Sequence, residues 1–438
     1  MQQGLALASR STSGCLESLG VDTWGVDFGL LDARGELLGN PYHYRDARTE
    51  GMLDAAFARV PRPEIYRQTG NQFMAFNTLY QLLALAQAGS PQLAAAQRLL
   101  NTPDLFNYWL SGVQASELTI ATTSQCYDPR AGSWAWALLE QLGLPARIFG
   151  EIAPPGTVLG PLRPGLAETV GCGPVQVVAT ASHDTAAAVA AVPASEPDSI
   201  YISSGTWSLM GVESRLPLIS EASLDFNLTN EGSAAGFYVH KIIMGLWLLQ
   251  ECRREWEAEG YAYSYDDLTV LAADSPALRA WVAPSDPRFL PPSGPGERRM
   301  SARIRAFCLE TGQPAPEPHG EVARCILESL ALEYRRTADK LAALLERELP
   351  VIHIIGGGSR NRLLNQFTAN ATGRRVVSGP VEATAIGNIL VQAVATGHLA
   401  SLEEGRQLLR RSIQAEYFEP ADLDAWEAAY QKYLRIVV

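Results

Sequence analysis

The residues best placed for chemistry in this chain stand where an apolar run gives way to glycine and polar side chains, the position at which open sheets bind ligands. In Val175-Gln176-Val177-Val178-Ala179-Thr180-Ala181-Ser182-His183-Asp184-Thr185 an apolar run leads to a carboxylate just ahead of the small-residue stretch Ala186 to Val192. A carboxylate held there within ~3 Å of a bound hydroxyl could take its proton as that oxygen attacks an electrophile. The same aspartate is equally suited to cap a helix by accepting backbone N–H groups. Tyr201-Ile202-Ser203 runs into Ser204-Gly205-Thr206-Trp207-Ser208, whose hydroxyls and glycine suit phosphate oxygens or a plain turn. Val351 to Ile355 is followed by Gly356-Gly357-Gly358-Ser359-Arg360-Asn361 and a helical stretch from Arg362 to Thr372. Three glycines admit a ligand close to the backbone, and the helix start favours an anion or a nucleotide. Finally, Val21-Asp22-Thr23-Trp24-Gly25-Val26-Asp27-Phe28 places two carboxylates around a tryptophan and a glycine. Buried carboxylates are costly unless paired, so their use is functional or structural; Trp24 suits a wall against a sugar face or a place in the core. Tyr44-Arg45-Asp46-Ala47-Arg48 reads as a solvated charge cluster.

Elements must hold these residues in place. Leu16 to Gly25 and Val26 to Gly39 read as short strands, with a turn signal at Asp32-Ala33-Arg34-Gly35. Leu79 to Ala86 and Gln92 to Leu100 read as helices, and Thr102-Pro103-Asp104 opens another that Ser111-Gly112 ends. The longest helix is expected over Glu321 to Glu348, with Val322, Ile326, Leu330, Leu341, Leu344 and Leu345 as its apolar stripe. Strands alternating with such helices indicate an α/β class of mixed sheets covered by helices. The proline-rich stretches Pro193 to Asp198 and Pro284 to Gly296 read as loops, the first a domain boundary and the second an insertion.

At 438 residues the chain exceeds the roughly 250 to 300 residues that one core supports, so two domains are expected. With 35 basic and 47 acidic side chains it carries a net charge of −12, which argues against a nucleic-acid partner. No window is apolar over the ~18 residues a membrane span needs, and the start has no basic segment followed by an apolar one, so a cytoplasmic protein is expected. The three lysines, Lys241, Lys340 and Lys432, never follow glycine, which excludes a P-loop. No VAIK, GxSxG or HExxH occurs, which removes protein kinases, α/β-hydrolases and common zinc proteases. The cysteines form no CxxC pair; Cys308 and Cys325 bracket a loop and are read as thiols.

Taken together, Asp22-Thr23-Trp24-Gly25-Val26-Asp27-Phe28, Phe76-Asn77-Thr78-Leu79-Tyr80-Gln81-Leu82, Ala181 to Ala186, Ser203 to Gly211, and Ile243-Met244-Gly245-Leu246-Trp247-Leu248-Leu249-Gln250 resemble the FGGY carbohydrate kinases, and among them the branch acting on L-rhamnulose. Gly356-Gly357-Gly358, Leu364-Asn365-Gln366 and Gly379 to Ala385 resemble the signature of the wider family. The resemblance implies two actin-like, RNase H-type α/β domains, over residues 1–192 and 198–438, with the active site in the cleft between them and domain closure to exclude water. It implies Asp184 as the base that deprotonates the C1 hydroxyl of L-rhamnulose for attack on the γ-phosphate of ATP. His183, Thr185 and Gly25 would hold the sugar, Thr206 would contact the phosphates, and Gln250 and Gly357 would line the nucleotide pocket. Magnesium would neutralise the phosphates without a dedicated protein metal site. The expected partners are the sugar and ATP, with no membrane and a monomeric chain.

Two departures from the family pattern bear on this. Its opening Asp-x-Gly strand, serine-rich loop and Arg are not matched before Cys15, and Met1 to Ser11 reads as the remainder of a helix. About fifty residues are therefore expected to be missing, strands central to the first sheet among them, and the opened sheet is expected to expose unpaired edges and apolar faces, with poor stability or aggregation as the result. Ile242 stands where the L-rhamnulose branch has Asn. Two other readings stay open: a kinase for another deoxy-ketose such as L-fuculose, and a non-catalytic sugar- or nucleotide-binding remnant.

Overall fold

The computed structural model describes residues 1–13, 15–194, 198–290 and 299–437. Two compact units emerge, one from Met1–Pro193, Glu213–Val239 and Ala383–Arg411, the other from Ala194–Val212, His240–Glu382 and Ser412–Val438. The sequence reading cut the chain once; the folded chain also gives Glu213–Val239 and Ala383–Arg411 to the first unit, because those segments pack on residues far away in sequence.

In the first unit Gln176–Ala179 is the middle strand of three. Ser18–Gly20 runs parallel to it in the register Leu19↔Val177, and Thr157–Pro161 antiparallel. Val177 and Val178, β-branched and fully buried, fit a strand covered on both faces. The opening helix Gln2–Ser11 lays Leu5 and Ala6 against Val21, Val175 and Val177. The strand Ser18–Gly20 is not bare where an exposed edge was expected. Ser18 Oγ donates to Gln392 Oε1 at 2.8 Å and Asn388 Nδ2 to the Gly20 carbonyl at 3.3 Å, both from the helix Ala383–Ala395.

The N-terminal strands are shorter than expected, Ser18–Gly20 and Phe28–Leu31, and they do not pair with each other. Phe28–Leu31 pairs antiparallel with Arg98–Asn101, which was expected to end a helix. The helix there stops at Ala95, since burying Leu99 and Leu100 against the distant strand outweighs local helical preference. Asp32 to Gly35 does turn the chain, with the Asp32 carboxylate accepting the Arg34 and Glu36 N–H groups and Gly35 at φ 80°. The helices Thr78–Gln87 and Thr102–Ser111 lie where the sequence places them, the latter closed by Gly112 at φ 89°.

The second unit is built on a sheet in the order Gly236–Met244, Trp207–Ser214, Ser199–Ser204, Val351–Ile355, Arg375–Ser378, Glu416–Phe418. Ser199–Ser204 and Val351–Ile355 are parallel, with Ser203 opposite Ile355, so their carboxyl ends lie side by side. The long helix is His319–Leu345, stopped by Glu346 in the left-handed region, and it packs against Tyr265–Ala273 and Arg362–Thr372. Cys308 and Cys325 meet as hydrogen-bonded thiols. Ser195 to Pro197 and Pro291 to Gly296 of the two expected loops lie outside the described residues.

Candidate active site

In the first unit the chain leaving Gln176–Ala179 and the chain leaving Ser18–Gly20 run on together. Thr23 N–H donates to the Ser182 carbonyl at 3.0 Å, and Asp184 N–H to the Thr23 carbonyl at 2.9 Å. That pairing brings Asp22 and Thr23 beside His183 and Asp184. Asp184 is the first residue of the helix Asp184–Ala190, with His183 at its cap position, and no side chain caps this end. The capping alternative for Asp184 is therefore not realised. Its carboxylate is 43% exposed, and its side-chain contacts, Thr185 Oγ1 at 3.2 Å and His183 Nε2 at 3.4 Å, both fall on Oδ1. An open carboxylate with one oxygen held is suited to accept a proton from a bound hydroxyl.

His183 is buried and faces Tyr238 and Glu231 with Nδ1. Burial pushes its imidazole down, but the hydrogen bond to Glu231 and the charges of Glu231, Asp184 and Glu117 outweigh it and leave it above the ordinary histidine value. Beneath this segment lies Glu117, fully buried, which accepts the Ser182 N–H at 3.2 Å and the Thr119 hydroxyl at 2.6 Å. Thr119 Oγ1 in turn accepts the His183 N–H at 3.1 Å. Asp22 receives Asn388 Nδ2 at 2.5 Å; burial raises its carboxyl, that hydrogen bond opposes the rise, and the Asp184 charge adds to it.

Gly25 is closely packed: a Cβ there would sit 3.0 Å from the Thr123 side chain. Its lack of a side chain thus has a structural reason beside any role toward a ligand. Trp24 is 46% exposed, not in the core, and its Nε1 donates to buried Asp27 at 2.8 Å. His43 tilts against it at 6.4 Å, stacks on Tyr44 at 4.5 Å, and Tyr44 meets Phe76 edge-on at 5.4 Å, which makes an aromatic ledge. Arg48 is not simply solvated: its guanidinium lies 3.8 Å over the Tyr42 ring and Nη2 donates to Gln81 at 2.5 Å.

In the second unit the two parallel strands end in Ser204-Gly205-Thr206 and Gly356-Gly357-Gly358. Thr206 is fixed through its carbonyl, which accepts the Gly245 N–H at 3.1 Å and the Trp247 N–H at 3.2 Å, and its hydroxyl donates to Gln250 Oε1 at 3.2 Å. The three glycines serve different ends. Gly356 adopts φ 81°, and a Cβ on Gly358 would lie 2.1 Å from Ser204 Oγ, so both are demanded by the fold. A Cβ on Gly357 would meet nothing within 4 Å, so no neighbouring protein atom demands glycine there. Asn361 caps the following helix by accepting the Leu364 N–H at 2.9 Å.

The structure thus sets His183, Asp184 and Thr185 beside Thr23 in the first unit and joins Thr206 to Gln250 in the second, while Gly25 lies against Thr123 and Gly357 follows the strand Val351–Ile355. Sequence reasoning missed Glu117, Glu231, Tyr238 and Asn388. A signal existed for one of them: Glu117 precedes Leu118-Thr119 as a helix cap would.

A model of the FGGY family of carbohydrate kinases, N-terminal domain, matches residues 7–191, and one of the C-terminal domain of that family matches residues 200–396. A rhamnulokinase of Bacteroides thetaiotaomicron is 44% identical over 416 residues, 95% of this chain and 84% of the relative. One of Oceanobacillus iheyensis is 41% identical over 397 residues, 90% of this chain and 82% of the relative. Among solved structures, a ligand-bound xylulose kinase of Lactobacillus acidophilus superposes with a TM-score of 0.81 at 18% identity, covering 99% of this chain and 86% of its own. A glycerol kinase of Plasmodium falciparum with ADP gives 0.77 at 14% identity, covering 100% and 88%. At these identities the structures speak for the fold alone, the two-domain actin-like α/β type.

Proposed function

Because the chain belongs to the FGGY family of carbohydrate kinases, we propose that it transfers the γ-phosphate of ATP to the C1 hydroxyl of L-rhamnulose, giving L-rhamnulose 1-phosphate and ADP in L-rhamnose catabolism. Identity of 44% to a rhamnulokinase across 95% of the chain carries the choice of sugar. The open carboxylate of Asp184 carries the choice of base.

In this reading Asp184 takes the C1 hydroxyl proton through its free oxygen, while His183, Thr185 and the backbone at Gly25 hold the sugar and Trp24 supplies an apolar wall. Thr206, Gln250 and Gly357 receive the nucleotide, with Gly357 giving the phosphates or base close access to the backbone. Magnesium, when bound, neutralises charge on the phosphates as the phosphoryl group moves. Among the described residues no group of three His, Cys, Asp or Glu side chains forms a metal cage. Asp22 and Asp184 are the carboxylates of the first unit that would lie near such a cation.

No helix among the described residues is long and apolar enough to cross a membrane. The net charge of −12 fits an enzyme that does not bind nucleic acid.

The reading is tested by kcat/KM on L-rhamnulose and on L-fuculose. A preference for L-rhamnulose of tenfold or more, about 1.4 kcal/mol of transition-state discrimination, is expected. A preference for L-fuculose would transfer the assignment to that sugar and give Ile242 a part in it.

A further inference from the structure

His183 stands between two carboxylates, Glu231 beside Nδ1 and Asp184 beside Nε2. The Tyr238 hydroxyl donates to Glu231 Oε2 at 2.7 Å, and the hydroxyl oxygen of Tyr238 lies 2.7 Å from His183 Nδ1. A tyrosine has one proton to give, so toward His183 its oxygen accepts, which requires a proton on Nδ1. Glu231 Oε2, 3.1 Å from Nδ1, is also an acceptor. On the other side Nε2 faces Asp184 Oδ1 at 3.4 Å. With Nδ1 donating and a carboxylate beside each ring nitrogen, the surroundings of the ring favour its doubly protonated form.

We propose that Glu231, together with Tyr238, is a positioning residue that holds His183 as a fixed imidazolium against Oδ1 of Asp184, leaving Oδ2 to the sugar hydroxyl. The proposal rests on the reading of Asp184 as the base. Glu231 and Tyr238 are supplied by the hairpin of Thr229–Ser233 and the start of Gly236–Met244, in the same unit as His183. Glu117 and Asp22 add negative charge, and Thr119 Oγ1 fixes the His183 backbone. A buried cation is tolerated only when paired, and here it is paired on both edges. The consequence for catalysis is geometric: a carboxylate with one oxygen bound to a rigid cation cannot rotate away from the hydroxyl it must deprotonate.

The test uses the full chain and two substitutions, Glu231→Gln and Tyr238→Phe. Imidazole proton signals are followed against pH by NMR, with His183→Asn identifying the signal of His183. In the wild type that signal should titrate above the ordinary histidine range. In Glu231→Gln it should titrate at least about one pH unit lower, a tenfold loss of proton affinity. The alkaline limb of kcat/KM for the sugar should move down with it, while KM for ATP stays within about twofold. Tyr238→Phe should show a smaller shift in the same direction, and it decides the matter if Glu231→Gln does not fold. A His183 titration unchanged in the variants would overturn the proposal, as would a shifted titration with an unshifted pH profile. If the wild type phosphorylates no L-rhamnulose, the sugar assignment fails, and the NMR titration still decides whether Glu231 governs His183.

Discussion

Glu117 Oε2 accepts the backbone N–H of Ser182 at 3.2 Å, although 65 residues separate them in the chain. This bond ties a fully buried carboxyl to the segment that ends in His183 and Asp184. Burial pushes the Glu117 carboxyl up to about 7, against the hydrogen bonds from Thr119, Ile120 and Ser182. With the folded value above the unfolded 4.5, the native protein binds this proton more tightly, so stability contributed by the neutral form is present below pH 4.5 and lost as pH rises through about 7. The loss from this one group is on the order of 3 kcal/mol. Buried Asp104, raised well above the ordinary value by burial and then by the Glu117 charge, acts with the same sign. Glu117→Gln should therefore flatten the fall in denaturation midpoint between pH 5 and 7. Parallel curves for variant and wild type would show that Glu117 is ionised throughout.

Asp184 can be replaced without loss of fold, because its carboxylate caps nothing. Asp184→Asn takes one acidic neighbour from buried His183 and leaves Glu231, so it should cost about 1–2 kcal/mol of stability and leave ATP binding intact. Turnover should fall by ~10²–10⁴. Steady-state kinetics and ATP titration check both halves, and turnover within tenfold of wild type would remove Asp184 from the role of base.

The glycine triplet separates fold from function. Gly358→Ala forces a methyl against Ser204 and should cost about 1–3 kcal/mol in thermal or chemical denaturation. Gly357→Ala has room in the protein and should fold like the wild type, yet raise KM for ATP about tenfold by filling the space a nucleotide would use. Unchanged ATP affinity in Gly357→Ala would place the nucleotide elsewhere.

What could be read from the sequence was local. Asp184 and Gly356 to Gly358 announce themselves because each directly follows the apolar run that forms its strand, and a strand end is where a sheet offers a site. The helix Thr102–Ser111 was legible for the same reason, its proline and glycine lying at its own ends. What escaped depends on partners brought together only by folding. His183 and Tyr238 are 55 residues apart, and Asp22 and Asn388 are 366 apart. Glu231 sits in a run so polar that it reads as surface, and only the neighbours Tyr238 and His183 make its burial tolerable. Arg98–Asn101 is a strand because Phe28–Leu31 is beside it, a fact absent from either segment alone.

The most direct test is to incubate the purified chain with ATP, magnesium and L-rhamnulose and to follow ADP and the sugar product together by phosphorus NMR. One ADP should appear for each L-rhamnulose 1-phosphate, with the new signal coupled to the C1 protons. Saturable binding of L-rhamnulose with no ADP formed would contradict the account and leave the chain a sugar-binding protein.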